Sequence, residues 1–171
     1  NLSFGKKERF KHEELSGNFR MSSLQCAYGI SEIKNFHKNI ILKKKIGDFY
    51  NTRLKNIKFI KLPPKYNLTS DNNYWIYPIV IKKSKTVNKK NFCKYLNDNG
   101  VMTRDFFYPL SDQPFLKKYK IKKKFTKNSK FLYDNGLYLP SGLGNTTNEL
   151  KKVCKIIEMY ARRYSKIEKK S

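Results

Sequence analysis

At 171 residues, 39% hydrophobic and 15% aromatic, the chain is long enough for one domain with a buried core and too apolar for disorder. Its longest apolar run, from Trp75 to Ile81, is broken by Pro78 and falls far short of a membrane span, and the first residues hold no apolar signal core. The net charge of +25 points to a polyanionic partner or to a solvated basic surface; 32 Lys against 6 Arg, with only Ala27 and Ala161 as alanines, fits AT-rich coding and favours the second.

Residues 1–16 are polar and charged. Ser22 and Gln25 then form an S-x-x-Q capping box, with Met21 and Cys26 at hydrophobic-staple spacing. Apolar residues recur with helical period from Leu24 through Tyr28, Ile33, Phe36 and Ile40 to Tyr50, which predicts a helix to about Leu54 with an irregularity near Lys43–Gly47. So long a first helix reads as a spine or an interface element. Pro63–Pro64 ends regular structure. Tyr74–Lys82 reads as a strand, with Pro78 marking an edge or bulge. Asn88–Leu96 reads as a helix with Phe92, Cys93 and Leu96 on one side, closed by Asn99–Gly100.

Val101–Phe107 reads as a second strand, followed by a loop from Tyr108 to Pro114. Thr126 is expected to cap a short helix through Tyr133, stopped at Asn135–Gly136. Leu137–Leu139 makes a brief third strand. Thr146 and Glu149 form a second capping box, opening a helix with an apolar stripe at Leu150, Val153, Cys154, Ile157, Tyr160, Ala161 and Tyr164. The expected fold is α+β: a long N-terminal helix and a small three-stranded sheet covered by helices. The expected division is a polar lead-in at 1–21, a long helix and linker at 22–60, and a small α+β domain at 61–171.

Cys26, Cys93 and Cys154 are odd in number and widely spaced, with no C-x-x-C. Cys26 and Cys154 fall on apolar helix faces and read as buried free thiols, which suits a reducing cytoplasm. His12 and His37 lack partners at metal-ligand spacing and read as surface residues. Gly142-x-Gly144 reads as a simple turn. No nucleophile elbow, P-loop, G-x-G-x-x-G or metal triad occurs. Asn18, in a polar turn, is either a turn residue bonded to its own backbone or a neutral donor able to hold a phosphate.

Three segments in order resemble one family. The first is Gly17-Asn-Phe-Arg-Met-Ser-Ser-Leu-Gln-Cys-Ala-Tyr-Gly. The second is Tyr74-Trp-Ile-Tyr-Pro-Ile-Val-Ile with Gly100-Val-Met-Thr-Arg-Asp-Phe-Phe-Tyr-Pro-Leu-Ser-Asp-Gln-Pro. The third is Gly136-Leu-Tyr-Leu-Pro-Ser-Gly-Leu-Gly-Asn-Thr-Thr-Asn-Glu-Leu. The pattern is similar to the C-terminal part of the DegT/DnrJ/StrS-type sugar aminotransferases, and to their perosamine-synthetase-like members in particular, from about residue 5 to 164.

The resemblance implies the C-terminal small domain of a type I aminotransferase fold dependent on pyridoxal phosphate (PLP). It implies a homodimer, or a missing N-terminal large domain, with active sites between subunits. An amino group, commonly from glutamate, passes to a nucleotide-linked keto-sugar in glycan or deoxysugar biosynthesis. The Schiff-base lysine lies upstream of the matched part, so no catalytic residue is assigned in this chain. With residue 1 an Asn, the chain is expected to be the back part of a longer protein and inactive alone.

Asn18 matches the asparagine that reaches the PLP phosphate of the neighbouring subunit, and Arg20 follows in the same turn. Tyr108 and Ser111 fall in the loop where relatives line the nucleotide-sugar pocket, although many carry a histidine in place of Ser111; Tyr108 either meets substrate or packs, and Arg104 either meets a phosphate or caps the sheet edge. No metal or membrane partner is implied, and nucleic acid is not the expected partner. The rival readings are a small basic RNA-binding protein, resting on charge and on Phe106, Phe107 and Tyr108, and a non-catalytic domain that dimerises through the first helix.

Overall fold

Ser22 starts the first helix as its capping box predicts. Its backbone N–H donates to Gln25 Oε1 at 2.8 Å, and the Gln25 N–H donates to Ser22 Oγ at 3.3 Å. In this computed structural model, residues 19–66, 69–84, 86–112 and 126–168 are described. The chain divides into two compact units, residues 1–37 and 38–171. Helix α1 (Ser23–Leu54) is helical throughout Lys43–Gly47, so the irregularity expected there does not occur.

In the first unit, Leu24, Cys26, Tyr28, Ile30, Ile33 and Phe36 are all exposed. The expectation of a buried Cys26 is therefore corrected. Its apolar neighbours recur at helical spacing, but nothing among the described residues covers them.

The core belongs to the second unit. It is built on an antiparallel sheet in the order β1 (Ile60–Lys61), β2 (Tyr77–Ile81), β4 (Gly136–Leu139), β3 (Arg104–Asp105). The sheet thus has four strands, not three. The extra strand, β1, pairs Ile60 with Ile81 and Lys61 with Val80. β2 alternates, burying Tyr77, Ile79 and Ile81. Pro78 lies opposite Tyr138 of β4 and beyond the short reach of β1, so its missing N–H leaves no ladder position unfilled.

Helix α2 (Lys89–Asp98) is capped by Asn88, whose side chain accepts from the Asn91 N–H at 2.9 Å. It ends at Asn99–Gly100, with Gly100 at φ +76°. The strand expected over Val101–Phe107 shrinks to β3. Val101 is instead buried, its N–H donating to the carbonyl of Leu96 at 2.9 Å. Helix α3 (Lys127–Asn135) runs directly into β4. Thr126 precedes α3 but makes no side-chain cap bond to it. Gly142-x-Gly144 forms a turn closed by the Asn145 N–H on the Gly142 carbonyl at 3.1 Å.

Helix α4 (Thr147–Glu168) buries Leu150, Val153, Cys154, Ile157 and Tyr160 of the predicted stripe, with Ala161 and Tyr164 partly buried, and it buries Ile156 as well. Burial pushes the Cys154 thiol up to about 12. The capping box closes: the Thr146 N–H donates to Glu149 Oε2 at 2.7 Å and the Glu149 N–H to Thr146 Oγ1 at 3.2 Å. Thr146→Ala is expected to cost about 1 kcal/mol in urea unfolding. The amide and hydroxyl of Thr146 hold the Glu149 carboxyl below its ordinary range. A lowered folded value means that this contribution is present above the ordinary carboxylate range and fades as pH falls through the lowered one. Glu149→Gln should therefore flatten the acid limb of a melting-temperature profile, and an unchanged limb would remove Glu149 from it.

Where α1 enters the core, Gly47 meets the ring of Tyr74. A Cβ at Gly47 would lie 2.4 Å from ring carbons Cγ and Cδ2. Tyr74 cannot yield cheaply. Its hydroxyl accepts from Asn51 Nδ2 at 2.8 Å, and Asn51 Oδ1 accepts from the Tyr77 hydroxyl at 2.7 Å. Gly47→Ala gains about 1 kcal/mol of helix propensity but overpacks by about 1–3 kcal/mol. The expected net effect is a loss of up to about 2 kcal/mol in a chemical melt. A gain in stability would mean that the ring moves aside freely.

Candidate functional site

Arg104, Tyr108 and Ser111 fall within one nine-residue stretch, Arg104–Asp112, along the open edge of the sheet. β3 pairs Arg104 with Tyr138 and Asp105 with Leu137 of β4. Beyond β3 the backbone leaves the ladder, and side chains fix it instead.

Phe106 stacks on Tyr138, with ring centroids 4.7 Å apart and planes at 26°. It also lies over Gly136, where a Cβ would come within 2.3 Å of its ring. Tyr108 meets Tyr133 of α3 edge-on at 5.2 Å. Pro109 is buried, and its carbonyl accepts from the Asp112 N–H at 2.9 Å, closing the 3₁₀ turn Leu110–Asp112. Ser111 Oγ lies 3.1 Å from Thr126 Oγ1, so the hydroxyl expected to cap α3 holds this segment instead.

Lys89 ties the segment to its backing. Its side chain is only 16% exposed. Nζ donates to Asp105 Oδ1 at 2.7 Å and to the Tyr133 carbonyl at 2.7 Å, and lies 5.3 Å from the Tyr133 ring centroid. One ammonium thus joins the start of α2, the edge strand and the end of α3. Sequence reading missed Lys89. It is one lysine among 32, and the only local hint is its place just after the N-cap Asn88.

The outward surface of the segment is mixed. Arg104 and Tyr108 are exposed, and Phe107 and Leu110 are each 71% exposed. The structure thus places Arg104, Tyr108 and Ser111 along one segment, each held by a different neighbour: Tyr138, Tyr133 and Thr126. Arg20 is exposed, just ahead of the cap residue Ser22, in the first unit. Asn18 lies outside the described residues.

Two other lysine and cysteine environments bear on chemistry. Lys43 Nζ donates to the Ser141 carbonyl at 2.6 Å, and burial lowers its pKa. Cys93, beside Thr103, is held up by burial. Among the described residues no group of His, Cys, Asp and Glu could hold a metal, and no helix is long and apolar enough to cross a membrane.

A family model described as the DegT/DnrJ/EryC1/StrS aminotransferase family matches residues 2–158. The GDP-perosamine synthase of Vibrio cholerae is 26% identical over 156 residues, which cover 90% of this chain and 41% of that protein. The chain therefore spans well under half of that relative's length. Among solved structures, the aminotransferase TlmJ from Streptoalloteichus hindustanus superposes with a TM-score of 0.77 at 13% identity, covering 96% of this chain and 43% of that one. The Escherichia coli GDP-4-keto-6-deoxy-D-mannose-3-dehydratase with bound hydrated PLP gives a TM-score of 0.63 at 20% identity, over 86% of this chain and 38% of that one. At these identities the two structures bear on fold alone.

Proposed function

The chain belongs to the DegT/DnrJ/EryC1/StrS aminotransferase family, and from that premise we propose that it is the C-terminal portion of a PLP-dependent enzyme that aminates a nucleotide-linked keto-sugar. The observation that carries this reading is the anchored stretch Arg104–Asp112. It presents a cation, a phenol and a hydroxyl in sequence on a backing fixed by Lys89, Tyr133 and Tyr138. A substrate with a diphosphate and a sugar needs such a set.

In this reading Arg104 takes the diphosphate through its planar guanidinium. Tyr108 and Ser111 hydrogen-bond the sugar, while Phe107 and Leu110 exclude water beside it. Asn18 and Arg20 hold the PLP phosphate of a neighbouring subunit. When bound, PLP supplies the electron sink through which the amino group, taken from glutamate, moves.

The described residues alone do not form a cradle for that cofactor. The two lysine amines drawn inward are already engaged, Lys43 by Ser141 and Lys89 by Asp105 and Tyr133, and the grooves lie open along the surface. In this reading the lysine that carries PLP belongs to a large domain upstream, and this portion by itself does not turn over. The exposed apolar residues Leu24, Tyr28, Ile33 and Phe36 support a contact with that domain or with a second subunit.

The test is reconstitution with the lysine-bearing large domain of a perosamine-synthase-like relative, following aminated nucleotide-sugar by mass spectrometry. Product should need both parts, and Arg104→Ala should raise KM for the nucleotide-sugar about tenfold or more. An unchanged KM would take Arg104 out of the substrate site. Amination by the chain alone would end the two-part reading.

A further inference from the structure

Arg53 of α1 and Lys151, Lys155 and Arg162 of α4 line one groove of about 380 Å³ in the second unit, together with Glu158 and Met159. On α4 these positions follow at i, i+4, i+7, i+8 and i+11, a single stripe. The opposite face of the helix is the one sunk in the core.

The groove holds one carboxylate, that of Glu158, and Arg53 already grips it, with Nε at 3.1 Å and Nη2 at 2.8 Å from Oε1. Lys151, Lys155 and Arg162 have no carboxylate partner among the described residues. Like charges at i, i+4 repel and lower helix stability unless something anionic covers them. From Lys151 to Arg162 the stripe is about 16 Å long at 1.5 Å per residue.

We propose that this groove binds a single-stranded nucleic acid through its phosphates. Three features favour that occupant. Charge complementarity is the first: three cations lie uncompensated in a row longer than a diphosphate. The second is the use of arginine. The chain meets most of its demand for positive charge with lysine, yet an arginine, Arg162, stands in this groove without a carboxylate, and the guanidinium matches phosphate oxygens two at a time.

The third is the lack of any apolar surface to insert into a lipid layer. Met159 is the only apolar side chain in the groove, since the apolar face of α4 is buried. No aromatic ring lines the groove, so bases are not stacked and no base preference is expected. The site is independent of the stretch Arg104–Asp112 and of the aminotransferase reading.

The experiment uses the full chain and a fluorescein-labelled oligouridylate of about 16 nucleotides, read by anisotropy. With three phosphates neutralised, affinity should fall about twentyfold between about 50 and 200 mM salt. The triple substitution K151E/K155E/R162E should weaken binding about tenfold or more and flatten the salt slope by about two. The charge-matched triple K61E/K82E/K83E, at exposed positions elsewhere, should stay within about threefold of the parent.

Acetylation footprinting of the unsubstituted chain gives a readout that does not depend on any variant folding. Bound RNA should protect Lys151 and Lys155 and leave Lys82 and Lys83 open. Equal loss in both triples, or protection spread evenly over all four lysines, would reduce the effect to bulk charge and overturn the proposal. Tighter binding to phosphatidylserine vesicles than to RNA, abolished by the same three groove substitutions, would overturn it as well.

Discussion

Replacing Phe92 with alanine is expected to lower the free energy of unfolding by about 3–5 kcal/mol. Phe92 has no exposed surface and sits between two other rings: Phe59 edge-on at 5.7 Å and Tyr160 edge-on at 5.0 Å. Phe59 itself meets Tyr160 at 5.7 Å. The three rings join α2, the stretch just before β1, and α4. Truncation removes the transfer free energy of the ring, two oriented aromatic contacts, and support that neighbouring side chains can only partly replace. For a domain whose whole stability is about 5–15 kcal/mol, that is a large share. The urea midpoint should fall with the slope unchanged. A loss under about 1 kcal/mol would mean that the pocket collapses around the gap, and that these rings do not hold the three elements together.

The second large effect is expected at Gly136, where α3 passes into β4 with no residue between them. Its N–H donates to the Leu132 carbonyl as the helix ends, and its backbone is already extended. A Cβ there would lie 2.3 Å from the Phe106 ring and 2.5 Å from Leu132 O. One obstacle is backbone and the other is a ring stacked on Tyr138, so neither gives way without cost.

Gly136→Ala gains about 0.4–1 kcal/mol by restricting the unfolded chain, but the overpacking lies at the upper end of about 1–3 kcal/mol. A net loss of about 2 kcal/mol is expected in urea unfolding, with faster proteolysis near Phe107 as Phe106 is displaced. Combining it with Phe106→Ala should cost less than the sum of the two single changes. Simple additivity would show that the ring is not what the new methyl strikes.

Local chemistry in the chain is enough to place most of the helices. The Ser22–Gln25 pair and the Thr146–Glu149 pair each carry their own hydrogen-bonding partners within a few residues and form where expected, and Asn88 caps the helix read to begin there. The stripe of α4 is legible for the same reason: five of its members share a face whatever the rest of the chain does.

What the sequence does not disclose depends on residues far away. β1 is two residues long and exists only because β2 offers it Val80 and Ile81. Val101, Phe106 and Phe107 have the composition of a strand, but Val101 is bound to the end of α2 and Phe106 to Tyr138. Glycine at 47 suggests a weak point in a helix; its actual role is to admit the Tyr74 ring. Arg104, Tyr108 and Ser111 are candidates through family pattern, whereas Lys89 is legible only in the structure, because its partners come from β3 and from the last turn of α3.

The pairing of β2 with β4, from Tyr77 opposite Leu139 to Val80 opposite Gly136, has a consequence for biosynthesis. No two strands of this sheet that are adjacent in space are joined by a tight hairpin, so closing it means ordering long intervening stretches first. As the polypeptide leaves the ribosome, α1, β1 and β2 have no lasting home until Gly136–Leu139 emerges, and no cover for their apolar face until α4 follows. Chains halted before that point carry Ile79 and Ile81 unprotected, as substrates for chaperones and proteases.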